Sequence, residues 1–214
     1  MKVLVVGANG QIGQKLVGLL QDSEKHEVRT MVRKEEQADA FKEKGVELVI
    51  ADLEGSVDQL TDAMQGCDAI VFTAGSGGHT GPDKTLLIDL DGAAKTVEAA
   101  EKVGVKRFIM VSALQANNRE NWNDKMRPYY AAKHYADRAV EQSSLTYTIV
   151  RPGGLLNEPG TGKVEAGEML KRGSIPREDV AAVIFYALDA AHTFNRSFDL
   201  VSGEQTISEV LKNI

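Results

Sequence analysis

Near the amino terminus, Gly7-Ala8-Asn9-Gly10-Gln11-Ile12-Gly13 sets three glycines at G-x-x-G-x-x-G spacing, between a short apolar run and a helical pattern. A loop of this kind supplies a tight turn, close approach of backbone to a pyrophosphate and close packing of helix on sheet. Backbone N–H groups left free at the helix start can hold phosphates, so Gly7, Asn9, Gly10, Gln11, Ile12 and Gly13 are candidate dinucleotide contacts. About 20 residues beyond such a loop, a carboxylate at the end of the second strand would accept hydrogen bonds from a ribose 2′-OH. The residues there are Val32-Arg33-Lys34. A guanidinium at that place can stack on adenine and pair with a 2′-phosphate, so Arg33 favours NADP over NAD. The alternative leaves Arg33 and Lys34 as solvated residues at a strand end, neutralised by Glu35 and Glu36. A third pattern is Tyr129-x-x-x-Lys133, which on a helix puts both side chains on one face, one turn apart.

The elements that position these residues follow from periodicity. Val3 to Val6 reads as a buried strand, and Ile12, Leu16, Leu19 and Leu20 recur at helical spacing after the glycines. Alternation continues with strands at Glu27 to Arg33, Val46 to Ala51, Ala69 to Ala74, Phe108 to Ser112 and Thr146 to Arg151, the last stopped by Pro152. Helices are expected at Glu35 to Lys44, Val57 to Gln65, Lys84 to Val103 and Tyr129 to Gln142, the third ended by Gly104. This order predicts a Rossmann-type α/β fold: a doubly wound parallel sheet in a three-layer sandwich, with ligands at the carboxyl ends of the strands. Leu114 to Pro128 is irregular, and its Trp122 and Met126 either line a pocket or pack as loop residues. Gly153 to Gly173 is rich in glycine and is expected to be mobile. A helix at Glu178 to Ala190, a short strand at Phe198 to Val201 and a terminal helix capped by Ser208 complete the chain. One domain over 1–214 is expected, with a cofactor-binding core at 1–152 and a small substrate-side part at 153–214.

Composition narrows the partners. Twenty-five Lys+Arg against 31 Asp+Glu give a net charge of −6, without a basic run, which argues against nucleic acid or an anionic membrane. The lone Cys67 excludes an intrachain disulfide and a cysteine-based zinc site and favours a reducing, cytoplasmic compartment. No apolar stretch approaches the roughly 20 residues of a membrane helix, and no targeting segment is read at the start. His26, His79, His134 and His192 lack metal-ligand spacing, so no metal site is expected.

The glycine spacing resembles that of the short-chain dehydrogenase/reductase superfamily, especially its extended and atypical branches with NAD-dependent epimerase/dehydratase-like proteins. Other segments share the resemblance across nearly the whole chain, including Pro176-Arg177-Glu178-Asp179-Val180-Ala181 and Phe198-Asp199-Leu200-Val201-Ser202-Gly203. It implies that Asp52 and Leu53 sit beside the adenine, that Ala74, Gly75 and Ser76 line the cofactor with Val111, and that Pro152 and Gly153 border the nicotinamide. It further implies that Lys133 holds the nicotinamide ribose and lowers the phenol pKa of Tyr129, which transfers the proton. The superfamily's substrate-polarising hydroxyl falls in register on Ala113, with Ser112 one residue early. Adjacent strand residues face opposite ways, so Ser112 can serve only if the strand end twists or bulges.

Two readings follow. One is an NADP-dependent oxidoreductase or epimerase/dehydratase relative, with Tyr129, Lys133 and Ser112 as its catalytic set. The short stretch after Pro152 favours a small carbonyl, quinone or flavin over a large nucleotide sugar. The other is a non-catalytic NADP-binding sensor or assembly factor, favoured by Ala113 and opposed by the Tyr129 and Lys133 pair. Substrate identity and oligomeric state are not fixed by the sequence.

Overall fold

Val3, Leu4, Val5 and Val6 are wholly buried on both faces of their strand, as a central parallel strand requires. The computed structural model describes residues 1–214. Strand β1 (Lys2–Val6) leads through the glycine loop into α1 (Gln11–Gln21), followed by β2 (Glu27–Val32), α2 (Glu35–Lys42), β3 (Glu47–Ile50), α3 (Val57–Met64) and β4 (Ala69–Phe72). Next come α4 (Pro82–Lys84), a π-helical segment (Thr85–Gly92), α5 (Ala93–Val103), β5 (Arg107–Val111), α6 (Arg127–Glu141) and β6 (Thr146–Pro152). The remainder forms β7 (Gly154–Leu156), β8 (Lys163–Gly167), β9 (Ser174–Pro176), α7 (Arg177–Ala187), β10 (Arg196–Ser202), β11 (Gln205–Thr206) and α8 (Ile207–Leu211).

Nine strands form one sheet in the order β11-β8-β10-β6-β5-β4-β1-β2-β3. All pairings from β10 through β3 are parallel, and β8 runs antiparallel to both β10 and β11. The chain winds one way through β1, β2 and β3 and the other way through β4, β5 and β6. That reversal opens a crevice beyond the carboxyl ends of β1 and β4. Alternate residues of β1 serve opposite layers: Val3 and Val5 pack with α1, α7 and α8, while Leu4 and Val6 pack with α3, α5 and α6. The expected doubly wound sheet with helices on both faces is therefore present.

Several local expectations are corrected. The helix expected over Lys84 to Val103 is interrupted, because Thr85–Gly92 winds as a π-helix between α4 and α5. The wider turn lets both Thr85 and Asp89 meet Ser76, with Ser76 N donating to Asp89 Oδ2 at 2.9 Å and the two hydroxyls 3.3 Å apart. Strand β4 ends at Phe72 rather than Ala74, since the Thr73 hydroxyl hooks back onto the Val6 carbonyl at 2.9 Å. Gly153 to Gly173 is not a loose segment: it contributes β7 and β8, the latter within the main sheet. Gly153 serves close approach, as a Cβ there would lie 2.3 Å from Gly173 O. The terminal helix is capped by Thr206, whose hydroxyl and Glu209 form a capping box, and not by Ser208.

Candidate functional site

A crevice of about 1050 Å³ lies over the strand tips. It is lined by Gly10, Gln11 and Ile12, by Ala74, Gly75 and Ser76, by Val111, Ser112 and Ala113, and by Tyr129, Lys133, Pro152 and Gly153. Most of the predicted site residues thus converge. Gly7, Asn9, Gly13, Arg33, Asp52 and Leu53 stand outside this lining.

The glycine loop is shaped for an anion. Gly7 has φ +84°, and a Cβ there would fall 2.6 Å from Ala74 N; a Cβ on Gly13 would fall 2.4 Å from Gly7 O. Two of the three glycines therefore set the loop's shape, while Gly10 faces the crevice. Helix α1 starts at Gln11 with no side-chain cap and no acidic residue in its first turn. The unpaired N–H groups of its first turn and its positive dipole end therefore meet the crevice without a neutralising side chain, a fit for a pyrophosphate.

Arg33 is exposed just past β2, in the strand beside β1, where Val6 is level with Met31. Its guanidinium has no carboxylate partner, and Glu35, which the alternative reading offered with Glu36 as a neutralising acid, pairs with Lys42 at 2.5 Å instead. Asp52 turns its carboxylate onto Glu54 N at 3.0 Å, and Leu53 packs into the core beneath Gly92.

Tyr129, Lys133 and Asp137 form one stripe along α6, a turn apart. The Lys133 ammonium lies 5.8 Å from the centre of the Tyr129 ring, 3.1 Å from Asp89 Oδ1 and 3.3 Å from the Val111 carbonyl, to which it donates. Burial opposes its charge, but Tyr129 and Asp89 outweigh it and hold the ammonium above the usual lysine value. The Tyr129 phenol is raised by burial; Lys133 pulls the other way, and Asp89 adds to the rise. The expected lowering by lysine is thus outweighed, chiefly by burial of the phenol and further by the Asp89 charge.

Asp137 Oδ2 accepts from Arg151 Nε at 2.8 Å, with both side chains 3% exposed. Burial raises the Asp137 carboxyl, against the pull of Arg151 and the neighbouring Ser112 hydroxyl. Ser112 Oγ and Asp137 Oδ1 are both buried without a well-formed hydrogen bond. Ser112 and Ala113 both border the crevice because the strand ends at Val111, although Ser112 N still reaches Val150 O at 2.8 Å. Met126 borders the crevice; Trp122 stands behind it, stacked on Tyr130 at 6.2 Å.

Sequence reasoning gave no site role to Asp89, Asp137 or Arg151. A carboxylate inside Leu86-Leu87-Ile88-Asp89-Leu90 and an arginine inside an apolar strand are signals that could have exposed two of them, since buried charges demand partners.

The family model described as NAD(P)H-binding matches residues 7–191. The chain belongs to the NAD(P)H-binding family. A Bacillus subtilis (strain 168) relative, the uncharacterized sugar epimerase YhfK, is 61% identical over 214 residues and is covered in full, as is this chain. A nominal NAD-dependent epimerase/dehydratase from Bacillus halodurans has a similar structure, with a TM-score of 0.93, 45% identity and full coverage of both chains. The oxidoreductase ylbE from Lactococcus lactis follows with a TM-score of 0.91 at 31% identity, over 100% of this chain and 96% of its own. Membership in the family agrees with the Rossmann-like sheet and with a small-molecule nucleotide as ligand. No helix is long and apolar enough to cross a membrane.

Proposed function

We propose that this family member is an NADP-dependent oxidoreductase that reduces a small carbonyl, quinone or flavin-type substrate. The supporting observation is the half-buried Tyr129 beside the buried Lys133 and Asp89 pair, which faces the uncapped start of α1 across one crevice. Gln11 and Ile12 would hold the pyrophosphate, Arg33 the 2′-phosphate, and Lys133 the nicotinamide ribose. Ala74, Gly75, Ser76, Val111, Pro152 and Gly153 would shape the remaining wall, with Asp52 and Leu53 toward the adenine. When bound, the cofactor supplies hydride.

The chain's own groups do the rest. Tyr129, with its phenol held protonated by burial, gives its proton to the substrate oxygen as that oxygen gains charge. Lys133 stabilises the phenolate left behind, and Asp89 fixes the ammonium in place. Ser112, whose buried hydroxyl lies beside the Asp137 carboxyl, would have to turn toward the crevice to donate to the substrate oxygen beside Ala113. Residues 153–214 add β8, β10 and β11 to the central sheet, and β7 and β9 pair in a small sheet whose Gly154 and Leu155 border the crevice.

NADPH oxidation against a panel of carbonyls, quinones and flavins, with Tyr129→Phe alongside, tests this reading. Turnover that falls at least about a hundredfold in the variant supports it. A cofactor-saturated protein with no turnover would instead favour the binding-protein reading, for which Ala113 in the hydroxyl position is the specific observation.

A further inference from the structure

The far end of the same crevice carries a second charge pattern. The charged lining of the whole crevice is Asp89, Lys125, Lys133, Arg172 and Arg177, four cations and one anion, in a chain whose acids outnumber its bases 31 to 25. Asp89 is committed to Lys133. The acids next in sequence to the other cations face elsewhere: Asp124 pairs with Arg127 at 2.7 Å, and Glu178 with Lys15 at 2.6 Å. That second bridge ties the first turn of α7 to α1, so Arg177 stands on the glycine-loop side. Lys125 and Arg172 belong to the tyrosine side.

Arg172 is fastened rather than waving in solvent. It donates to Tyr130 Oη at 3.3 Å and to the Asn121 carbonyl. Both acceptors are uncharged, so they orient the guanidinium without neutralising it. Tyr130 is itself buried and stacked on Trp122, whose indole N–H donates to Ala116 O at 3.1 Å. The backbone is pinned on either side of Arg172: Leu170 N donates to Asp199 Oδ2 at 3.1 Å, and Gly173 O accepts from Gly154 N at 2.9 Å. The rings of Tyr129 and Tyr130 are 5.9 Å apart, which sets the arginine one ring away from the proposed proton donor.

We infer that the substrate carries an oxyanion, a carboxylate or phosphate a few bonds from its reacting carbon, which Arg172 binds with help from Lys125. This rests on the oxidoreductase reading and narrows it to anionic carbonyl compounds. An oriented, un-neutralised guanidinium forms charge-assisted bonds with such a group, and an aldehyde lacking it would leave the site's charge uncompensated.

Calorimetric titration of the NADP⁺-loaded protein with 4-carboxybenzaldehyde against benzaldehyde, and with glyceraldehyde 3-phosphate against glyceraldehyde, tests the inference. At least one charged member should bind about tenfold tighter than its neutral twin, and the two pairs tell carboxylate from phosphate. Added salt should shrink that ratio. Arg172→Gln should narrow it, Arg172→Lys should restore part of it, and Lys125→Gln, on an exposed turn, should narrow it without a burden on folding. Equal affinities within both pairs, or a ratio untouched by Arg172→Gln and Lys125→Gln, would overturn the inference while NADPH titration of the same samples still shows cofactor binding. Loss of NADPH binding in the wild type would overturn the oxidoreductase reading and this inference together.

Discussion

The Lys133 ammonium and the Asp89 carboxylate meet at 3.1 Å with side chains only 4% and 2% exposed, one from α6 and the other from the π-helical segment. A pair so fully withdrawn from water stabilises little by itself, but breaking it leaves a charge buried alone. Asp89→Ala should therefore destabilise the fold by about 3–5 kcal/mol, read by denaturant unfolding. Asp89→Asn keeps the shape and the contact to Ser76 N, yet removes a main support of the lysine's raised pKa. In the Asp89→Asn variant the ammonium should deprotonate at lower pH than in the wild type, and activity should fall on the alkaline side accordingly. An unchanged alkaline limb would show that Asp89 does not govern the lysine.

Tyr129 makes a directional prediction about pH. Burial keeps its phenol above the ordinary tyrosine value of 10.0, so the proton-donating form persists through the neutral and mildly alkaline range. Reduction should be flat across that range and fall only above about pH 10, whereas oxidation, which needs the phenolate, should rise with pH. The measurement is kcat/KM in both directions from about pH 6 to about pH 10.5 with one substrate pair. A reductive limb that already falls near about pH 7 would assign proton donation to another group.

Much of this arrangement was legible along the chain because it is local. Four β-branched or leucine residues, three glycines and a helical period determine the first strand, turn and helix within the first 20 residues, and Tyr129 and Lys133 share a face by spacing alone. The π-helix was not legible, since it depends on Asp89 and Thr85 reaching Ser76 across the layer. Composition misplaces Gly153 to Gly173 because it does not separate glycines that move from glycines that admit a neighbouring backbone. Arg172 carried no signal, as its acceptors Asn121 and Tyr130 lie 51 and 42 residues away in sequence.

Arg33 decides the cofactor in the proposed function, and its freedom from carboxylate partners makes the test clean. Arg33→Asp removes the charge that would meet a 2′-phosphate and supplies an acceptor for a bare ribose. NADPH affinity should weaken by about 10- to 100-fold, while NADH binds as well as before or better. Fluorescence titration with each cofactor measures both values, and thermal unfolding without cofactor should be nearly unchanged because the side chain is exposed. Equal losses for the two cofactors would point to general damage at the strand end.

Gly13 offers a test of the loop that does not depend on catalysis. A Cβ there would stand 2.4 Å from Gly7 O and 2.8 Å from the Ala8 Cα, both backbone atoms that cannot rotate aside. Gly13→Ala must push α1 away from the turn, which costs about 1–3 kcal/mol in a well-packed region. The same displacement moves the N–H groups of Gln11 and Ile12, so NADPH affinity should fall by more than the change in stability alone accounts for. Gly18 lies on the same helix, and a Cβ there would meet nothing within 4 Å, so Gly18→Ala should raise stability by about 0.5–1 kcal/mol with cofactor affinity intact. If both substitutions shifted melting temperature and affinity in the same way, the loop's close packing would not be what positions the phosphate-binding backbone.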